Sequence, residues 1–460
     1  MIQRGKKILL FPIETSVREL DFRLVLAMMC ARPDWQIILG EHEELFKLTL
    51  RLRNAVGLLK NVTGGKRPWK YKRYKELSLR VIFLDEEGGI YEAGPDHWRG
   101  ELDKRINVNE LEAEDRVCTR GSFQANHYRS KDPACAAHIM ATGHPRFDLC
   151  SPGFKKVYEE EAEALRREHG KFILLNTNII ANDSSGPDVY IRVNKVDPAD
   201  VARRSYYIGQ FSHELKRLGN FIVLVNHLSN EFPGHKIVLR PHPSEDMRIY
   251  QTMFSHVPRV LVTRQGSLNA WIQSCQVLIH DGCTTALEGH LSGTPVINYQ
   301  PVQDERYDLV LPNLVGLQCT TVEEVATAIH DLDAGKPFPG APPEDIRRIS
   351  ELFLNFDPAA DSFAALAGVI RQCQDQAIPA KVVGVGPVML WHRLTDPIRQ
   401  LARPFHTLNR LLSRKYRGSE KFPPLDRERI LRSQAVFEGI TGRKVKLHFH
   451  TSKFFSVTAD

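Results

Sequence analysis

The chain reads as α/β: two Rossmann-like domains, each a doubly wound parallel sheet, followed by a basic C-terminal extension. Three observations predict this. Short apolar runs of strand length alternate with amphipathic runs of helix length over residues 6–150, and again from Phe172 onward. The stretch from Val277 to Tyr299 spells out a complete strand–helix–strand unit. The length, 460 residues, exceeds what one ordinary core fills.

In the first domain, residues 7–11 predict a strand and residues 18–31 a helix with an apolar face through Leu20, Leu24, Ala27 and Met28. Residues 36–39, 81–84, 116–119 and 138–142 predict further strands. The first loop carries Glu14, Thr15, Arg18 and Glu19, and a later strand ends in Asp85-Glu86-Glu87-Gly88-Gly89. Parallel sheets place their chemistry at such strand ends. The turn-rich Gly143-His144-Pro145-Arg146-Phe147-Asp148 marks the boundary, giving domains over 1–150 and 151–340.

The second domain opens with a charged helix over 154–169 and a strand over 172–176 that ends in Thr177-Asn178. A polar insertion over 183–200 and a long helix over about 203–230 follow. The strand over 236–239 runs into Arg240-Pro241-His242-Pro243-Ser244-Glu245. Then comes the most informative stretch. Val277 to Ile279 is a strand, Asp281-Gly282-Cys283-Thr284-Thr285 a polar turn, and Ala286 to Leu291 a helix stopped at Gly293. A helix that starts with two hydroxyls and open backbone N–H groups is a seat for an anion, although a Thr-Thr start is by itself more often only a cap. Glu288, one turn in, lies where a carboxylate reaches a ribose hydroxyl. With Arg240 and His242 on a neighbouring strand end, the pattern predicts a nucleotide-phosphate pocket. A helix over 323–332 and a Pro/Gly linker over 337–343 close the domain. Residues 341–380 read as a helical crossover, and residues 381–460 as an extension whose fold the sequence leaves open.

Composition excludes several classes. The eight cysteines are scattered, with no CxxC pair and no Cys/His cluster, so they read as reduced thiols and imply no metal site. The apolar run after the basic start reaches only Pro12, a strand and not a signal peptide, and no window approaches a membrane span. The expected location is therefore cytoplasmic. The whole chain carries net +7, yet from Trp391 onward 15 Lys/Arg stand against 6 Asp/Glu, so the tail holds the basic bias. A second basic block interleaves Lys66, Arg67, Lys70, Lys72, Arg73 and Lys75 with Trp69, Tyr71 and Tyr74. Such mixtures suit an anionic membrane surface, predicting peripheral association with the inner face of the cytoplasmic membrane. A solvated loop is the competing reading of each block. No nucleic-acid-binding module accompanies them, so nucleic acid is not an expected partner.

Taken in order, these motifs resemble a GT-B glycosyltransferase, and more closely the bacterial surface carbohydrate (surface polysaccharide) biosynthesis protein family. The matching residues are Pro12-Ile13-Glu14 with Arg18-Glu19-Leu20, Asp85-Glu86-Glu87-Gly88, Thr142-Gly143-His144-Pro145-Arg146-Phe147-Asp148, Asn176-Thr177-Asn178, Arg240-Pro241-His242-Pro243 and His280-Asp281-Gly282-Cys283-Thr284-Thr285-Ala286-Leu287-Glu288. The resemblance covers roughly residues 6–330. The chain is also similar to capsule Kdo-transferases and bacterial sialyltransferases, which use CMP-sugars, and its Arg-Pro-His-Pro to that of teichoic-acid polymerases.

The resemblance implies transfer of a sugar from a nucleotide-activated donor, CMP- or UDP-linked, to a lipid-linked or growing glycan. It places the donor on Thr177, Asn178, Arg240, His242, Pro243, Asp281, Gly282, Thr284, Thr285 and Glu288. Negative charge grows on the departing phosphate, and fixed dipoles with Arg240, His242, Thr284 and Thr285 would stabilise it without a metal or other cofactor. The acceptor hydroxyl needs a base, and Glu14, Asp85, Glu86 and Glu87 are the strand-end carboxylates available. Like charge within Asp85-Glu86-Glu87 is expected to raise one pKa. Two rivals stand beside this reading. A UDP-sugar 2-epimerase shares the architecture, but its Gly-Gly pair in the turn and its Gly-Thr-Arg-Pro-Glu start are missing here. A non-catalytic scaffold in polysaccharide assembly is the other.

Overall fold

A computed structural model describes residues 2–3, 5–60, 68–86, 92, 94–183, 186–382 and 422–460. The chain divides into two compact units. The first comprises Met1–Gly88, Gly100–Leu149 and Glu351–Asp460, and the second Gly89–Arg99 and Cys150–Ser350.

The first unit is built on an eight-stranded sheet. Its strands are β1 (Lys7–Ile13), β2 (Trp35–Glu41), β4 (Val56–Leu59), β5 (Arg80–Leu84), β6 (Arg116–Thr119), β7 (Ile139–Ala141), β15 (Val445–Phe449) and β16 (Phe454–Ala459), in the order β15-β16-β2-β1-β4-β5-β6-β7. The six strands from β2 to β7 run parallel, and the central residues of β1, β2, β4 and β5 are apolar and buried. Strand order reverses between β1 and β4. The helix Ser16–Cys30 follows β1 with eleven of its fifteen residues buried, Glu19 to Met28 and Cys30, a nearly enclosed element rather than one with a single apolar face.

The basic C-terminal segment supplies two of these strands. β16 pairs antiparallel with β2, and β15 forms a hairpin with β16. Gly40 in β2 lets them meet, since a Cβ there would collide with Phe454. The helix Arg427–Thr441 precedes the hairpin. A further short pair joins β3 (Leu52–Arg53) and β14 (Lys381–Val382). Residues 383–421 lie outside the described residues, and so does most of the charge excess of the tail.

The second unit holds six parallel strands: β8 (Phe172–Asn176), β9 (Lys236–Arg240), β10 (Val260–Val262), β11 (Val277–His280), β12 (Val296–Tyr299) and β13 (Leu317–Cys319). Their order is β10-β9-β8-β11-β12-β13, a doubly wound Rossmann-type sheet that reverses between β8 and β11. Side chains alternate across each strand. Ile173, Leu175, Ile237, Leu239, Val277, Ile279 and Ile297 form one apolar face, covered by the helices Val201–Glu231 and Val322–Asp333. The segment 341–380, expected as a helical crossover, contains two helices, Pro343–Leu352 and Ser362–Asp375, with a break between them. Pro358 explains the break, because it lacks the N–H that a continuous helix requires. Among the described residues no helix is long and apolar enough to cross a membrane.

Candidate functional site

In the second unit, the loops after β8, β9 and β11 gather where strand order reverses. One buried carboxylate organises them. Glu245 Oε1 accepts from the Thr177 hydroxyl at 2.7 Å, from Ile179 N at 3.3 Å and from His242 N at 3.0 Å. Its Oε2 accepts from Tyr250 at 2.7 Å and from Asn182 at 3.3 Å. Five donors on one carboxylate lock the Arg-Pro-His-Pro turn to the end of β8. Arg264 clamps the same turn from outside, donating to Pro241 O at 3.1 Å and to His242 O and Glu245 O at 2.6 Å each. His242 Nδ1 engages Ser244 Oγ at 2.9 Å, which fixes the ring.

Across the reversal, Asn178 Nδ2 donates to Gly282 O at 3.3 Å. Gly282 has φ +64, the left-handed conformation, and its N–H donates to Asn313 Oδ1 at 2.7 Å. A Cβ at this position would press on Arg217 at 3.2 Å. Arg217 anchors the turn to the helix Val201–Glu231, donating to Asp281 Oδ2 and to Asp281 O at 2.6 Å and to Glu214 at 2.5 Å. Burial raises the Asp281 carboxyl even against Arg217, and it likewise raises Glu214. For Arg217 burial works downward, but Asp281 and Glu214 outweigh it and keep the guanidinium charged.

Directly beneath these loops runs a polar row. Arg240, Asn176, His280, Asn298 and Gln318 are register partners on five neighbouring strands and therefore share one face. Asn298 donates to Gln300 at 2.9 Å and to Gln318 at 2.7 Å. His280 is fully enclosed, and burial pushes its pKa down to about 4. Asn176, at the reversal itself, is 2% exposed, and neither its amide nitrogen nor its amide oxygen meets a partner.

Several second-unit residues expected to hold a ligand turn out to have structural partners. Thr177 is turned onto Glu245, and Asp281 onto Arg217. Arg240 donates to the backbone of Arg264, Gln265 and Gly266 and lies 5.1 Å from the Trp271 ring. The helix after the turn is Thr285–Leu291, and the Thr284 side chain caps no amide. Thr285 Oγ1 donates to Cys283 Sγ at 3.2 Å. Seven residues make a short dipole, so the hydroxyls and not the helix are the polar feature here. Thr284 and Thr285 are half-buried beside Gly282, Glu288 is buried in the following turn, and Pro243 is exposed.

In the first unit, Glu14 follows β1 and Lys60 follows β4, so the two flank its reversal, where they form an ion pair. Glu86 is buried between Arg23 Nη2 at 2.5 Å and His144 Nε2 at 3.1 Å. His144 Nδ1 accepts from Arg146 N at 3.2 Å, so Nε2 carries the ring proton and donates to Glu86. Burial pushes His144 down to about 4 in spite of Glu86. Asp85 accepts from Gln124 at 3.0 Å and Arg105 at 3.2 Å, while Arg120 Nε donates to its carbonyl.

The expectation that neighbouring acids raise a pKa within Asp85-Glu86-Glu87 fails for Glu86. Burial acts to raise its carboxyl, but Arg23, His144 and Lys60 outweigh that and hold it well below the ordinary range. The raised carboxyl is Glu19, through burial and then through the charge of Glu86. Glu87 lies outside the described residues. Sequence reasoning assigned no role to Glu245, Arg264 and Arg217, which hold these loops, or to Asn176, which stands beneath them. The available signal was that β8, β9 and β11 all end on a polar residue.

No family model and no curated protein matches this chain. Solved structures do. The wall teichoic acid polymerase TagF is 12% identical, covering 81% of this chain and 90% of its own, with a TM-score of 0.45. The UDP-GlcNAc 2-epimerase of Methanocaldococcus jannaschii is 12% identical over 80% of this chain and 99% of its own, at 0.47. The Neisseria meningitidis UDP-GlcNAc 2-epimerase bound to UDP-GlcNAc is 11% identical over 80% and 100%, at 0.46. Likeness at this level is one of chain path and does not say which ligand this chain holds.

Proposed function

We propose that the chain is a glycosyltransferase of surface polysaccharide biosynthesis, moving a sugar from a nucleotide-activated donor to a membrane-associated glycan. The donor would lie on the second unit, over the loops that end β8, β9 and β11. The observation that carries this reading is Asn176. A buried amide with neither end partnered costs on the order of 2 kcal/mol or more. Here it stands at the reversal of a doubly wound sheet, where such folds bind ligands. A polar ligand seated there would satisfy it and offset that cost.

In this reading Asn178, Gly282, Thr284, Thr285 and the His242 ring surround the phosphate, and Glu288 faces the ribose. Glu245 and Arg217 position loops and touch no substrate. The likenesses to a teichoic acid polymerase and to enzymes of UDP-GlcNAc are compatible with the proposal and add no weight to it. Glu14 is the proposed base, since Asp85 and Glu86 are already held in buried pairs. As base, Glu14 would take the proton of the acceptor hydroxyl and become neutral, while the acceptor oxygen bonds the sugar and the negative charge leaves on the nucleotide phosphate.

The test is calorimetric titration of the full chain with CMP, UDP and CDP, followed by an assay of sugar release from the corresponding donors. CMP or UDP binding that the N176V variant loses supports the reading. Absence of binding to all three sinks it, and UDP binding with isomerisation in place of transfer moves the protein to the epimerase class.

A further inference from the structure

Two polar groups of the second unit stay unsatisfied far from the donor loops. Among its described side chains, buried polar atoms without a partner fall on Asn176, His280 and Asn298 of the polar row, on Tyr190, and on two more, Gln273 Nε2 and Ser292 Oγ. Both of these residues line one cavity. Gln273 belongs to the helix Leu268–Ser274, which leads into β11, and Ser292 follows the helix Thr285–Leu291, which leads into β12. The cavity therefore opens at the edge of the sheet where these strands begin. The donor loops lie where they end, one strand length or about 13 Å away. The two sites stand or fall separately.

The cavity holds about 270 Å³, close to the lower end of small-molecule sites, about 300 Å³. Its remaining wall is the helix Lys156–His169 with its N-cap Lys155. Lys155, Glu159 and Arg166 line the cavity, and their spacings of four and seven put them on one helix face. All three are exposed. Arg166 Nη2 donates to Gln273 O at 3.3 Å, which holds the guanidinium at the wall with most of its N–H groups still to be used. Ser292, by contrast, is only 4% exposed, so its hydroxyl has little access to bulk water. Leaving it and the Gln273 amide unpaired costs stability that a guest would restore.

The lining specifies that guest. Gln273 Nε2 can only donate, as can the two cations, so three donors converge and call for an oxyanion. Glu159 can only accept and calls for a hydroxyl, and Ser292 serves in either sense. A neutral polyol would leave the cations without a counter-charge. A bare phosphate ion would leave Glu159 without a donor and much of the space unfilled. We infer that this cavity is a binding site for a small hydroxylated organic anion, a sugar phosphate or a sugar acid. Its anionic group sits against Arg166, Lys155 and Gln273, and its hydroxyls meet Glu159 and Ser292.

The test is calorimetric titration of the full chain with glucose 6-phosphate, gluconate and glucose, which share a hydroxylated body and differ in charge. At least one anion should bind with a Kd below about 1 mM, more tightly at low salt than at high, and glucose at least about tenfold more weakly. Preference between the two anions assigns the guest as phosphorylated or carboxylated. Arg166→Gln should weaken the anion about tenfold. Ser292→Ala should weaken it too, without lowering the thermal stability of the ligand-free protein, and His242→Ala should leave anion binding unchanged. Failure of both anions to bind overturns the inference and leaves the cavity to water. Glucose binding as tightly as either anion overturns it as well. An anion lost in His242→Ala but kept in Arg166→Gln lies in the donor pocket, which overturns this site and leaves the proposed function standing.

Discussion

The Thr177 hydroxyl and the His242 backbone N–H both donate to Oε1 of Glu245, at 2.7 and 3.0 Å. One oxygen thus holds together the ends of two neighbouring strands on which the proposed donor site is built. Changing Glu245 to Gln turns part of that acceptor into a donor facing other donors. We expect nucleotide affinity to fall about tenfold and unfolding free energy by about 1–3 kcal/mol. Calorimetry and urea unfolding measure the two, and an unchanged affinity would remove Glu245 from the site.

Asn176 gives the opposite balance. Replacing it with Val removes an unsatisfied buried amide, so the ligand-free protein should be as stable as the parent or more so, while nucleotide binding weakens. Thermal unfolding with and without CMP or UDP separates these effects. Loss of stability without ligand would show that the amide serves the fold instead.

Binding and chemistry should separate between the units. His242→Ala and Thr285→Ala should raise the nucleotide Kd about tenfold, whereas Glu14→Gln should leave it unchanged and lower turnover about 10²–10⁴-fold. Glu86→Gln is a different case. It leaves Arg23 buried beside a neutral partner, so it should cost about 3–5 kcal/mol of stability. A stable, nucleotide-binding and inactive Glu86→Gln protein would return Glu86 to the catalytic role.

His280 makes stability depend on pH. Its folded pKa, about 4, lies below the value near 6.5 of an unfolded chain, so between these limits the unfolded state binds the extra proton. Its contribution is therefore complete above pH 6.5 and lost as pH falls toward 4, on the order of 3 kcal/mol in all. Asp148, raised by burial to about 6, acts in the opposite sense over an overlapping window, so the comparison must be with a variant. Relative to His280→Asn, the parent should lose stability from pH 7 to pH 4 in urea titrations. Parallel curves would refute the assignment.

The proposed membrane contact needs a gentler test than deletion. Removing residues 382–460 would take away β16, which pairs with β2, and unfold part of the first unit. The basic block over 60–80 is also partly structural: Tyr71 and Tyr74 are buried, and Lys75 pairs with Asp115 at 3.0 Å. Trp69 is 54% exposed, and Lys72 and Arg73 are exposed beside it. Neutralising Lys72 and Arg73 should reduce flotation with anionic vesicles, more at low salt than at high. Unchanged flotation would leave the block a solvated surface.

The sequence by itself determined the alternation of strands and helices, the two doubly wound sheets and the strand ends that carry polar residues. Those features are local: a period of two or 3.6, a Gly with positive φ, a proline that ends a helix. It did not reveal β15 and β16, which acquire their place only when Gly40 admits β16 beside β2 and β15 pairs with β16. Nor could it separate Glu86 from Glu14, because the difference lies in Arg23 and His144, distant in the chain and adjacent in space. Only the tertiary structure decided which polar residues hold the loops, as Glu245 and Arg217 do, and which stand buried without a partner, as Asn176 does. A hydrogen bond depends on a few ångströms between groups a hundred residues apart, and composition and spacing do not encode that distance.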